Sequence, residues 1–138
     1  MGVDRTAFAV PKKPNNEQIN QSFLADEGHI EFFDWRSNGH DMMRLVARLY
    51  VQRGGVHTPG ADPFDVLWLT GGVKLSEEDL NIIEGAITSP GFVVREHLSE
   101  NDPEFIEIRD RTIQQDLDFV SKARERIRDG YDVYFRMA

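Results

Sequence analysis

Six consecutive residues, Trp35-Arg36-Ser37-Asn38-Gly39-His40, bring an indole, a guanidinium, a carboxamide and an imidazole into one short stretch. An apolar run ends there and a helical pattern begins, so the chain turns from strand to helix across these residues. A helix N-terminus presents unpaired N–H groups and the positive end of the backbone dipole, and with Arg36 alongside it could hold a phosphate or a carboxylate. Asp41 opposes that use: its carboxylate stands in the first turn, where the anion would sit, and Asn38 can already cap the helix. Two other readings stay open. One is a structural corner with His40 bonded to backbone, and the other is a hydrogen-bonded surface for recognition. Arg44 and Arg48 continue the basic character along the next helix, although the spacing of Asp41, Arg44 and Arg48 also describes a solvated helix face.

Other reactive side chains form no comparable constellation. His29, His40, His57 and His97 include no pair at metal-ligand spacing, so folding alone would have to assemble a metal site. No G-x-S-x-G elbow accompanies the serines. The carboxylate pairs Glu77-Glu78 and Glu125-Asp129 read as solvated helix faces. No catalytic residue, metal or cofactor is therefore assigned. Trp35 and Trp68 are rigid amphipathic anchors if they project outward and core residues if they do not. The candidate ligand- or partner-binding set is Trp35, Arg36, Asn38, His40, Arg44 and Trp68.

The elements that position this set follow from periodicity. Thr6 to Val10 alternates and is closed by Pro11, which predicts a first strand; Asn15 and Asn16 then cap a short helix through Ile19, Phe23 and Leu24. His29 to Trp35 predicts a second strand, with Ile30, Phe32 and Asp34 on the opposite face from Glu31, Phe33 and Trp35. Met42, Leu45, Val46 and Leu49 recur at helical spacing until Gly54 and Gly55. Phe64 to Leu69 predicts a third strand, and Ser76 with Asp79 starts a helix carrying Leu80, Ile83 and Ile87. Phe92 to Val94 offers a further short strand. The last helix begins at Asp102 and Pro103 and stops at Gly130, with acids early, bases late and a stripe of Ile106, Ile113, Leu117, Val120 and Ile127. Tyr131 to Met137 closes the chain as a strand.

Several of these segments resemble a family of small phage and prophage proteins. The stretch DLDFVSKARERIRDGYDVYF, Asp116 to Phe135, is similar to that family's ending, D-L-x-F-I-x-x-A-R-x-x-I-x-x-G-x-x-V-Y-Y. Trp35, Arg36, Asn38 and His40 resemble its early aromatic-Arg-Lys and Asn-x-His segment. LYVQRGG, Leu75 to Ile87 and Ser89 to Phe92 resemble a helix end, a middle helix and a Ser-x-Gly-Phe turn. The likeness covers most of residues 30–135, in order. Ser37 stands where the family commonly has Lys, the Arg36-to-Asn38 interval is shorter, and Arg136, Met137 and Ala138 replace a Ser- and Trp-rich ending. The resemblance implies a phage or prophage context and a small α+β fold, and it carries no established activity. Members are often labelled phosphoglycerate kinase. A chain of 138 residues without a glycine-rich phosphate loop is too short for two lobes closing over a nucleotide.

Composition bounds the remaining classes. The 138 residues suit a single α+β domain, and a 40% hydrophobic, 29% charged composition is that of a globule. A formal net charge of −8 disfavours general nucleic-acid binding, which depends on cations neutralising phosphates. No apolar run is long enough to span a bilayer and no signal peptide is recognised, while zero cysteines fit a reducing compartment, so the expected location is cytoplasmic. The expected architecture is a small antiparallel or mixed sheet of about four strands packed by three main helices. The leading function is stoichiometric binding to a host or phage protein, with inhibition of a defence or metabolic factor as one form of it. The alternatives are a small enzyme or sensor holding a phosphorylated molecule around Arg36 and His40, and a self-associating homodimer.

Overall fold

The fold follows from where the chain can bury its apolar stripes. The computed structural model describes residues 5–12, 18–19, 30–35, 40–52, 72–89 and 103–137. In chain order these form β1 (Arg5–Pro11), β2 (Gln18–Ile19), β3 (Ile30–Asp34), α1 (His40–Gln52), β4 (Gly72–Leu75), α2 (Glu77–Ile87), α3 (Pro103–Arg128) and β5 (Tyr131–Met137). The domain is α+β: among the described residues three helices pack on an antiparallel sheet with the order β2-β4-β5-β1-β3. The two chain-terminal strands lie side by side in the sheet, with β1 and β5 paired without interruption from Arg5↔Met137 to Pro11↔Tyr131.

Alternation along these strands divides the sheet into two faces. Ala7, Val73, Leu75, Val133 and Phe135 join Met42, Val46, Leu80, Ile83, Phe119 and Val120 in the principal core between sheet and helices. Val10 and Tyr134 are buried in a second cluster with Phe8. Burying each large side chain contributes about 1.5–3 kcal/mol relative to leaving it in water.

The helices carry the caps their sequences specify. Asp79 N–H donates to Ser76 Oγ at 3.1 Å while Ser76 N–H donates to Asp79 Oδ2 at 2.9 Å, a complete capping box for α2. Gly130, at φ +93°, reverses the chain after α3 in a conformation that side chains disfavour, and so sets β5 antiparallel beneath its helix. Arg124 of α3 fastens the two helices, donating to Glu84 Oε2 and to Asn81 Oδ1 of α2, each at 2.6 Å.

Three expectations are corrected, and one strand is added. Gln18–Ile19 is extended and pairs with Gly72 and Val73 instead of continuing a short helix; tertiary pairing overrides the local pattern. Gly72–Leu75 forms β4, a segment to which the sequence pattern assigned no element. Ile106 is 47% exposed, so it leaves the stripe that packs on the core, and Thr112 is the first buried residue among the described side chains of α3. The strict alternation expected of β3 fails at a bulge in its pairing with β1. The third strand expected over Phe64 to Leu69, the short strand over Phe92 to Val94, and the caps and stops at Asn15, Asn38, Gly54 and Asp102 lie outside the described residues. Among the described residues no helix is long and apolar enough to cross a membrane.

Candidate functional site

The aromatic run of β3 was expected to split between two faces, and the backbone prevents it. Along the β1–β3 ladder Ala7 pairs with Phe33 and the next residue, Phe8, pairs with Glu31, which leaves Phe32 as an extra residue on β3. A bulge of this kind re-aims a side chain and bends its strand. Both rings then meet the same partner on α3: Phe32 lies 6.3 Å from Phe119, nearly parallel, and Phe33 lies 5.7 Å away at 61°.

Trp35 continues the cluster inward. It is 7% exposed, with ring centroids 4.6 Å from Phe33 and Phe119 and 5.2 Å from Phe135. Its indole Nε1 donates to Asp116 Oδ1 at 2.8 Å, and Asp116 is fully buried. A buried indole N–H needs such an acceptor, and a buried carboxylate needs such a donor. Trp35 is therefore a core residue that locks β3 onto α3, the inward one of the two readings its sequence left open, and its ring is not available at the surface as a recognition anchor.

Outside this cluster the bulge opens a groove of about 380 Å³ lined by Phe32, Lys122, Glu125, Arg126 and Asp129. Helical geometry supplies the last four, because positions 122, 125, 126 and 129 recur at steps of three and four on one face. Asp129 keeps that register past the helix end, its backbone N–H donating to Glu125 O at 3.1 Å. The cations rest on the aromatic floor. Lys122 Nζ is 5.4 Å from the centre of the Phe33 ring and the Arg126 guanidinium 5.8 Å from that of Phe32. Contacts of this type contribute about 0.5–1 kcal/mol at exposed sites. Among the described residues none of Lys122, Glu125, Arg126 and Asp129 is in an ion pair. The groove thus offers an apolar floor with two cations and two carboxylates at its rim, chemistry suited to holding a charged surface in place.

A second polar cluster lies on the sheet face turned away from the helices. Tyr134 is opposite Phe8 and Lys74, and Lys74 Nζ reaches Asp132 Oδ1 diagonally at 3.6 Å. Burial, and secondarily the Asp132 charge, push the Tyr134 phenol well above its ordinary range. Asp132 Oδ2 is buried without a hydrogen bond. Tyr134 is 0% exposed, so this cluster is an interior feature.

Of the residues the sequence singled out, Trp35 is in the core and Arg44 is exposed on α1 with Arg48. His40 is the first residue of α1, and its side chain lies outside the description. Arg36, Asn38 and Trp68 lie outside the described residues, as does the corner that joins them. Among the described residues no group of three or more acidic or imidazole side chains could hold a metal ion. The groove residues were missed for two reasons. No local motif announces the bulge that turns Phe32 toward α3, and Glu125 and Asp129 looked like ordinary solvated carboxylates. The readable signal was the alternating charge of Lys122, Glu125, Arg126 and Asp129 on one face of the last helix. Comparison with protein-family models, with curated proteins and with solved structures finds no match to this chain.

Proposed function

We propose that this protein acts by stoichiometric binding to another protein, as a phage-type accessory factor that occupies or blocks a host or phage component. The observation that supports this reading is the groove at the β3 bulge, where Phe32 floors a space rimmed by Lys122, Glu125, Arg126 and Asp129. Opposed charges around an aromatic floor fix orientation and register in protein interfaces, while the floor supplies desolvation energy. The groove rests on the interlocked rings of β3, α3 and β5, so it is formed before any partner arrives and little ordering entropy is lost on binding. The sequence resemblance to small phage proteins supports the context.

The test is capture at physiological salt from the cell type in which the gene resides, comparing the wild type with Lys122→Glu/Arg126→Glu. A stoichiometric partner held by the wild type and lost with the variant, at unchanged thermal stability, is the expected result. Equal recovery by both proteins, or recovery by neither, contradicts the reading. A thermal-shift screen against nucleotides and sugar phosphates completes the test. A ligand at 100 times its dissociation constant adds about 2.7 kcal/mol of stability, and such a shift would point to small-molecule chemistry instead.

A further inference from the structure

We infer that the α3 face bordering the groove is self-complementary and pairs with a second copy of this chain across a two-fold axis. Its four charged residues read positive at Lys122, negative at Glu125, positive at Arg126 and negative at Asp129. A two-fold axis placed midway between positions 125 and 126 runs the partner helix antiparallel. Lys122 then faces Asp129 of the partner subunit, and Glu125 faces Arg126 of the partner subunit. The two reciprocal pairs complete the set, so every contact joins opposite charges. A closed two-fold interface requires this kind of self-complementary patch.

Three features of the structure agree with this occupant. Lys122, Glu125 and Asp129 are exposed, and none of the four residues is committed to an ion pair among the described residues. Both cations are held over phenyl rings, which fixes them at the rim instead of folding them back onto the neighbouring acids. Within the chain, the like-charge neighbours Lys122/Arg126 and Glu125/Asp129 are balanced by the opposite-charge neighbours Lys122/Glu125 and Arg126/Asp129 three apart, and none of these pairs closes into an ion pair, so all four charges stay available to an opposed copy. The four positions span about 10 Å of helix at ~1.5 Å per residue, so the interface is small, and association is concentration-dependent. The inference concerns the same groove as the proposed function but does not rest on it, because self-association is measured on the purified protein alone.

Sedimentation velocity on two charge-swapped chains tests it. Lys122→Glu/Arg126→Glu makes the face wholly negative, and Glu125→Lys/Asp129→Lys makes it wholly positive. The wild type is expected to shift from monomer to dimer with rising concentration. Each swapped chain alone stays monomeric, and an equimolar mixture of the two forms a one-to-one heterodimer. Arg109→Glu/Arg111→Glu, which makes the same charge change on the exposed start of α3, dimerises like the wild type. Circular dichroism of each variant confirms folding. A wild type that remains monomeric throughout, a swapped chain that still dimerises, a mixture that does not associate, or loss of dimer in the Arg109/Arg111 variant would each overturn the inference.

Discussion

Replacing Trp35 with phenylalanine removes one donor from the centre of the core and leaves Asp116 Oδ1 without the indole N–H now 2.8 Å away. Withdrawing a partner from a buried polar atom costs about 1–3 kcal/mol, and more when the atom carries charge. The smaller ring also leaves a gap beside Phe119 and Phe135, and each lost apolar carbon adds about 0.8 kcal/mol. The total is roughly 2–4 kcal/mol, or about 6–12 °C in Tm for a domain of this size. Asp116→Asn keeps an acceptor of the same shape and is expected to cost less than Trp35→Phe. Urea denaturation followed by circular dichroism measures both. The double-mutant cycle of Trp35→Phe with Asp116→Leu should show a coupling of about 1 kcal/mol or more, because the second change matters little once the first has broken the bond. A Trp35→Phe protein within about 0.5 kcal/mol of the wild type, or strict additivity in the cycle, would refute the claim that this bond ties β3 to α3.

The Tyr134 phenol, raised by burial and by Asp132, sets an alkaline limit. Above pH ~10 the unfolded chain releases this proton while the folded chain keeps it, so stability falls by up to ~1.4 kcal/mol per pH unit until the folded group also titrates. Tyr134→Phe should lack that component, so the gap between the two stability profiles is constant below pH ~10 and changes with pH above it. Arg124→Ala loses the contacts to Glu84 and Asn81 across the α2–α3 seam and, being partly exposed, should cost about 1 kcal/mol in denaturant melts, with weaker dependence on salt than in the wild type. Gly130→Ala, at φ +93° with open space around the added Cβ, should cost about 1–2 kcal/mol from backbone strain alone and leave the fold intact by circular dichroism.

Legibility in the sequence tracked how local each determinant is. The α2 capping box, the Pro103 start and Gly130 stop of α3, and the buried stripe of α1 are written within a few residues of where they act, and each appears in the structure. β4 was not legible, because Gly72–Leu75 is too short to show a period and owes its extension to pairing with β5. β2 was read as helix for a related reason: two residues become a strand only when β4 is present to accept them. The candidate site shows the same division. Lys122, Glu125, Arg126 and Asp129 could be placed on one helix face from spacing alone. The floor beneath them depends on a bulge between β1 and β3, a property of two strands remote in sequence that neither declares. Trp35 was recognised as important but its direction was left open, because its acceptor Asp116 lies 81 residues away.

The central claim is that the groove at the β3 bulge is where this protein meets another. Site-specific photocrosslinking addresses it most directly: a photoreactive phenylalanine analogue placed at Asp129 on the groove rim, and at Ile82, 45% exposed on α2, as the comparison. Protein adducts forming at Asp129 and not at Ile82 are the predicted result. Adducts confined to Ile82, or equally abundant at both positions, would contradict it.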